Sequence, residues 1–154
     1  MDLTRLLRQM GRAYHSLAEG RGVVLRIDAH EGVLVLGSEE LIETAVEAVL
    51  DNAIGFTPAG GRVELQLQRN GTRAEIMISD DGPGVPAEHR EKIFERGFSL
   101  RPQSASRSGG EAHGGIGLWM ARRYLQALGG GIRAENRAGR GLLVRLELPL
   151  LEAA

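Results

Sequence analysis

Residues 62–84 constrain the fold more than any other stretch of the chain. Asn70-Gly71 joins two strand-like runs at 62–69 and 73–79. That dipeptide is a strong hairpin signal, because its residues accept the backbone twist of a tight β-turn. The second run, Glu75-Ile76-Met77-Ile78-Ser79, alternates and then breaks on Asp80-Asp81-Gly82-Pro83-Gly84. An acidic residue at a strand end, followed by a glycine-opened turn, admits two readings. It is a common turn that happens to hold a carboxylate. Or it reads a purine: Asp80 accepts a hydrogen bond from an exocyclic amine, and the glycines let the backbone approach a flat base with no Cβ in the way.

Periodicity supplies the surroundings of that hairpin. Leu3, Leu6, Leu7, Met10, Tyr14 and Leu17 recur at helical spacing, which predicts a helix over 2–19. Val23–Ile27 and Val33–Leu36 read as two short strands. Ser38 suits the cap of a helix over 39–54, with Glu39 and Glu40 favoured in its first turn by the dipole. Ile42, Ala45, Val46, Val49 and Ala53 share one face of it, and Glu40, Glu43, Glu47 and Asp51 share the other. A short helix is expected over 87–95, and a longer one from Ile116 to Leu128, closed by Gly129-Gly130. Strands at 131–136 and 141–148 complete the chain. Between the last two helices, Ser99–His113 is rich in Ser, Gly and Arg, has almost no apolar residue and reads as a mobile loop. Helices interleaved with hairpin-linked strands predict one α/β domain over 1–154, a two-layer sandwich with a mixed, mostly antiparallel sheet packed on helices.

Composition closes off several chemistries. Lys92 is the only lysine and stands between Glu91 and Ile93, so the Gly-Lys-Ser/Thr of a P-loop is excluded. With no cysteine there is no disulfide framework, thiolate catalysis or Cys zinc site, and the composition suits a reducing cytoplasm. A net charge of -1 gives no general attraction to nucleic acid or anionic lipid. No apolar run reaches the ~18 residues of a membrane span. None of the four histidines, His15, His30, His89 and His113, pairs with another His or a carboxylate at metal spacing.

Two further features bear on chemistry. Asn52 lies about 60° from Val49 and about 20° from Ala45 around its helix, at the edge of the buried face, where an amide needs a partner. It suits a satisfied helix-end asparagine, or a Mg²⁺ ligand through its amide oxygen. Gly114-Gly115-Ile116-Gly117 opens a helix, where free N–H groups and the dipole favour phosphate. The same glycines suit a loop hinge, and Ile93-Phe94 suits ordinary core packing.

Leu50-Asp51-Asn52-Ala53-Ile54-Gly55-Phe56-Thr57-Pro58 resembles the N box of sensor histidine kinases, and Asp80–Pro86 resembles their first glycine box. Ile93–Ser99 is similar to their F box, Gly115-Ile116-Gly117-Leu118 to their second glycine box, and Gly141–Pro149 to their closing strand. Together these motifs, in family order, cover nearly the whole chain. The resemblance implies the Bergerat ATP-binding fold and a catalytic, ATP-binding domain. It implies that Asp80 binds adenine and Asn52 the Mg²⁺–phosphate unit. Gly82, Gly84, Phe94, Gly115, Gly117 and Leu118 would shape the pocket, with residues 97–113 as an ATP lid. Arg96, Arg101 and Arg107 are then candidates to meet the phosphates, Arg96 first. The implied reaction passes the γ-phosphoryl of ATP to a histidine on a dimerisation domain, with a response regulator downstream. That histidine-bearing domain would lie upstream in a longer parent chain or on another protein, so the domain would be cytoplasmic, as a free kinase or as part of a membrane-bound sensor.

The chain departs from the family pattern at four places. Ala48 stands one turn before Asn52, where Asn, or Glu in the ATPase branches, is usual; Glu47 is about 140° around the helix from Asn52. Gly55 replaces a Lys or Arg, Leu142 a Thr, and Trp119 a small residue. Ala48 and Gly55 motivate a competing expectation, a nucleotide-gated binding module that has lost phosphotransfer; an anti-sigma-type serine kinase of the same fold is a further alternative, against which the F box and the long arginine-bearing lid speak.

Overall fold

Alternation along the central strands decides which face of the sheet is buried. The computed structural model describes residues 1–96 and 117–151. In β2 (Arg62–Asn70) Val63, Leu65 and Leu67 are buried, and in β3 (Arg73–Asp80) Ala74, Ile76 and Ile78. Register places Leu65 opposite Ile78 and Leu67 opposite Ile76, so the apolar residues of both strands share a face. β5 (Leu142–Pro149) continues that face with Val144 opposite Ile78 and Leu146 opposite Ile76. With β1 (Val24–Ala29) and β4 (Gly131–Asn136) at the edges, the order is β1-β2-β3-β5-β4. β1 runs parallel to β2 and every other pair is antiparallel. This is the predicted mixed, mostly antiparallel sheet.

Three α-helices among the described residues cover the apolar face: α1 (Leu3–Gly20), α2 (Glu39–Phe56) and α3 (Gly117–Ala127). Asp2 caps α1 by accepting the Arg5 N–H at 3.1 Å, and Leu3, Leu6, Leu7 and Met10 enter the core. A Cβ on Gly11 would lie 2.5 Å from Ile27 Cγ1, so glycine lets α1 settle closely on β1. The Ser38 hydroxyl caps α2 at Leu41 N, 3.3 Å away, as its sequence predicts. The opposite face of α2 meets α1 through Tyr14, whose hydroxyl bonds the Asp51 side chain. Burial, then the charge of Asp51, pushes that phenol far above its usual range. Truncating a fully buried side chain such as Ile76 or Leu65 to alanine should cost about 2–5 kcal/mol.

Two expected elements differ. Val33–Leu36 forms no strand: Leu34 and Val35 make only isolated bridges, to Asp2 and Leu150. Its backbone serves the chain ends instead, with Val33 O accepting Leu3 N–H, Val35 O accepting Met1 N–H and Leu34 O accepting Leu151 N–H. The helix expected over 87–95 is two 3₁₀ turns, Ala87–His89 and Lys92–Phe94. The hairpin is present, but Asn70 pairs with Arg73, so the turn residues are Gly71 and Thr72.

Candidate functional site

Because even-numbered residues of β3 face the helices, Asp80 is the last member of a row that runs Ala74, Ile76, Ile78. Its carboxylate thus enters beneath the helical layer and is 5% exposed. Oδ1 accepts the Gly82 N–H at 2.8 Å and the Leu142 N–H at 3.3 Å. Both bonds fall on one oxygen, which leaves Oδ2 for a ligand. Burial raises the Asp80 pKa above the ordinary carboxylate value, and neighbouring Asp81 adds to that. The two N–H groups and the Arg137 charge pull it down without cancelling the burial.

Beside Asp80 lies a narrow cleft. Helix α2 contributes Val49, Asn52, Ala53 and Phe56; Ile78, Ile93, Leu118 and Val144 complete the apolar walls. A second, wider lobe of about 200 Å³ is lined by Pro83, Gly84, Val85 and Pro86, and shares Phe56, Asp80 and Leu142 with the first. Apolar walls with a buried carboxylate and an amide suit a flat, mostly apolar ligand carrying a hydrogen-bond donor.

The structure gathers Asn52, Asp80, Gly82, Gly84 and Leu118 around these lobes. A Cβ on Gly82 would stand 3.0 Å from Asp80 Oδ1 and 3.1 Å from Phe56 O, so a side chain here would press the strand end and the helix end apart by a few tenths of an ångström. Gly84 takes φ +79, and its Cβ would stand 2.8 Å from Asn136 Oδ1. Two predicted residues sit elsewhere. Phe94 is 1% exposed in the core, its ring centroid 5.3 Å from the Arg122 guanidinium, and its neighbour Ile93 lines the cleft instead. Arg96 is exposed, 5.2 Å from the Trp119 ring centroid, and Arg123 is 5.1 Å from the same ring. Gly117 opens α3 as a buried residue. Gly115, the expected lid at 97–113 and its Arg101 and Arg107 lie outside the described residues.

Sequence reasoning missed the partner of the glycine turn. Residues 136–141, from the last residue of β4 through the turn to β5, close on it from the side. The Asn136 amide accepts Val85 N–H at 2.9 Å and donates to Val85 O at 2.7 Å. Arg137 Nη1 donates to Asp80 O at 2.7 Å and to Asp81 Oδ1 at 3.0 Å. Arg140 Nε donates to Gly82 O at 3.3 Å. Gly141 takes φ +99, and any Cβ there would overlap Asp80 O. Asp81 is a strut: its Oδ2 also accepts the Arg62 N–H at 2.9 Å. Desolvation opposes its ionisation, but the Arg137 and Arg62 bonds outweigh that and lower its pKa. The only local signal was the pair of glycines, Gly139 and Gly141, after Asn136-Arg137.

Among the described residues no group of three His, Cys, Asp or Glu could hold a metal, and no helix is long and apolar enough to cross a membrane.

Comparison with known proteins agrees with this geometry. The family model described as "Histidine kinase-, DNA gyrase B-, and HSP90-like ATPase" matches residues 37–152. The sensor protein CutS of Streptomyces coelicolor is 33% identical over 151 residues, 97% of this chain and 36% of CutS. The chain likewise spans 36% of the sensor-like histidine kinase SenX3 of Mycobacterium tuberculosis. A structure of the mycobacterial sensor histidine kinase MprB superimposes with a TM-score of 0.83 at 28% identity, covering 99% of both chains. Full-length ShkA in complex with AMPPNP matches all of this chain and 31% of its own, with a TM-score of 0.81 at 26% identity. The chain belongs to the histidine kinase-, DNA gyrase B- and HSP90-like ATPase family, as a catalytic, ATP-binding domain of the sensor histidine kinase type.

Proposed function

We propose that this domain binds Mg-ATP and passes the γ-phosphoryl group to a histidine on a separate dimerisation domain, with a response regulator as the next acceptor. The observation that carries the reading is the buried Asp80 carboxylate sharing one cleft with Asn52. With Oδ1 occupied by backbone, Oδ2 accepts the exocyclic amine of adenine. Ile78, Val144 and Leu118 supply apolar surface for the base, and Gly82 and Gly84 keep the turn thin beside it. The AMPPNP bound in ShkA, a match across the whole of this chain, supports a nucleotide as the ligand.

Asn52 fits the metal of Mg-ATP: an amide oxygen is a hard donor, and Mg²⁺ takes one or two protein oxygens alongside phosphate and water. When bound, the ion neutralises phosphate charge; Asn52 orients the triphosphate. An imidazole nitrogen of the acceptor histidine then attacks the γ-phosphorus, the bond to the β–γ bridging oxygen breaks, and ADP leaves. Such a transfer needs positioning and charge neutralisation more than covalent help from the protein.

Ala48 favours a second reading. One turn before Asn52 it presents a buried methyl where a second oxygen ligand would stand, which suits a module that binds nucleotide without transferring phosphate. Calorimetric titration with a non-hydrolysable ATP analogue, with and without Mg²⁺, tests the shared premise; a folded wild type that binds none overturns both readings. Labelled ATP plus a histidine-bearing helix-bundle partner then separates them, since tight binding with no phosphohistidine leaves only the module.

A further inference from the structure

The turn between β4 and β5 grips Asp80 at both ends of the residue. Leu142 N–H reaches its side chain at 3.3 Å, while Arg137 reaches its main-chain carbonyl at 2.7 Å. Arg137 also holds Asp81, which is tied in turn to the start of β2 through Arg62 N. One guanidinium therefore fixes where β3 ends relative to β2 and β5. Asn136 pins Val85 through both of its backbone groups, so the glycine turn is fastened at its two ends, 80–81 and 85. Gly141 permits the close approach, because no side chain fits against Asp80 O. A turn of Gly and Pro has little side-chain packing of its own, so a purine-reading carboxylate on it is only as well placed as these external bonds make it.

We infer that Arg137 is a positioning residue for the Asp80 carboxylate, setting purine affinity through the Asp80–Asp81 backbone without touching the nucleotide. This rests on the nucleotide-binding reading above. The positive charge acts in the same direction as the geometry. Among the described residues, the charges acting on Asp80 are Asp81 on its own strand end and Arg137 at the β4–β5 turn; α2 contributes the neutral Asn52. Arg137 favours the ionised carboxylate, the form able to accept from an amine.

The test has two arms. In the first, wild type, Arg137→Gln and Arg137→Lys are titrated calorimetrically with the same non-hydrolysable ATP analogue between about pH 5 and 8, so that ligand ionisation cancels between proteins. Arg137→Gln should bind about tenfold more weakly at neutral pH. Its acid loss of binding should begin at higher pH than in wild type, because removing the cation raises the Asp80 pKa further. Arg137→Lys, which keeps the charge and one donor, should keep the wild-type pH profile with intermediate affinity. Equal affinities at every pH, or equal losses in both variants with no displaced acid limb, would overturn the inference. The second arm needs no nucleotide: amide exchange at Gly82 and Leu142 should quicken about tenfold in Arg137→Gln while core amides such as Ile76 keep their protection. A wild type that binds no analogue removes the nucleotide reading, whereas unchanged exchange at Gly82 and Leu142 removes the positioning role by itself.

Discussion

At the Asp80 end of the cleft, the main chain of Asp80, Gly82 and Val85 is held by side chains of Asn136, Arg137 and Arg140, and the Asp80 carboxylate is held by two N–H groups. At the Asn52 end, among the described residues, the wall is the last turns of α2, where apolar Val49, Ala53 and Phe56 surround the single amide. Among the described residues, one end offers a rigid backbone frame and the other a single amide side chain. On the nucleotide reading proposed above, the difference follows from the two tasks. A base is read by fixed donors and acceptors, so its site is preorganised, while the charge of a triphosphate is met by a metal ion and water that come with it. A defect at the first end should therefore weaken binding, and one at the second should spare binding and remove turnover.

Asn52→Ala should produce the largest effect and the cleanest split. Phosphohistidine formation should fall about a hundredfold or more, the scale on which losing one positioned group at the reacting charge is felt. Affinity for a non-hydrolysable analogue should fall far less, and the melting temperature should hold, because Asn52 is only half-buried and its helix is fixed by Ile42, Val46, Val49 and Ile54. If binding dropped as steeply as turnover, the two ends would not be separate devices. A radiolabelled transfer assay beside calorimetry reads both quantities.

Asp80→Asn should act at the other end, weakening analogue binding by about 1–3 kcal/mol, since the amide presents a donor where the amine needs an acceptor. Its effect on stability should have the opposite sign. Burial raises the folded-state pKa of Asp80 above the unfolded value. The ionised carboxylate therefore costs the fold stability at neutral pH, and the cost is relieved as pH falls through the raised folded value toward the unfolded one. Asparagine keeps an Oδ1 that can accept from Gly82 and Leu142 without the charge, so the free variant should melt higher than wild type at neutral pH and converge with it in acid. Wild-type binding should fade over the same acid range, as the acceptor is protonated. Thermal melts across pH, with and without nucleotide, check both signs; a variant that is both weaker and less stable would show that Asp80 is structural.

The Asp80 end was legible in the sequence up to the carboxylate and no further. The alternation of β3 marked the strand that ends at Asp80, Ser38 marked the start of α2, and helical spacing put Asn52 at the edge of its apolar stripe, because each is a local pattern. The β4–β5 clamp left no such trace. Its bonds join Asn136 and Arg137 to residues more than fifty positions away, and a turn holding Gly139 and Gly141 reads the same whether or not it grips anything. Val33–Leu36 misled for a related reason. Val33 and Val35 are buried and Leu34 and Leu36 are not, which is a strand's pattern, yet its hydrogen bonds go to both ends of the chain instead of a ladder. The 87–95 stretch had too few residues between Pro86 and the burial of Ile93 and Phe94 to settle into an α-helix, and its i→i+3 bonds, His89 N to Pro86 O and Glu95 N to Lys92 O, close 3₁₀ turns.

The smallest expected effect bears most directly on whether the Asn52 end is complete. Ala48 is 6% exposed, one turn before Asn52 on nearly the same face of α2. If the sparse end limits the rate because an oxygen ligand is missing there, Ala48→Asn should raise phosphotransfer a few-fold while leaving analogue affinity almost unchanged. It should do so at a cost of about 1–3 kcal/mol in stability, because an amide enters a buried site and must find partners. Ala48→Ser, which is smaller and carries an oxygen on a shorter arm, controls for that cost: it should lose some stability without gaining rate, as its hydroxyl bonds back to the helix carbonyl a turn earlier. The measurement is single-turnover phosphohistidine formation under saturating Mg-ATP for wild type and both variants, with melting temperatures alongside. A rate that rises only in Ala48→Asn identifies the Asn52 end as a site short of one ligand. A rate that falls in step with stability in both variants means that Asn52, phosphate and water already suffice, and that the contrast between the two ends is one of construction and not of competence.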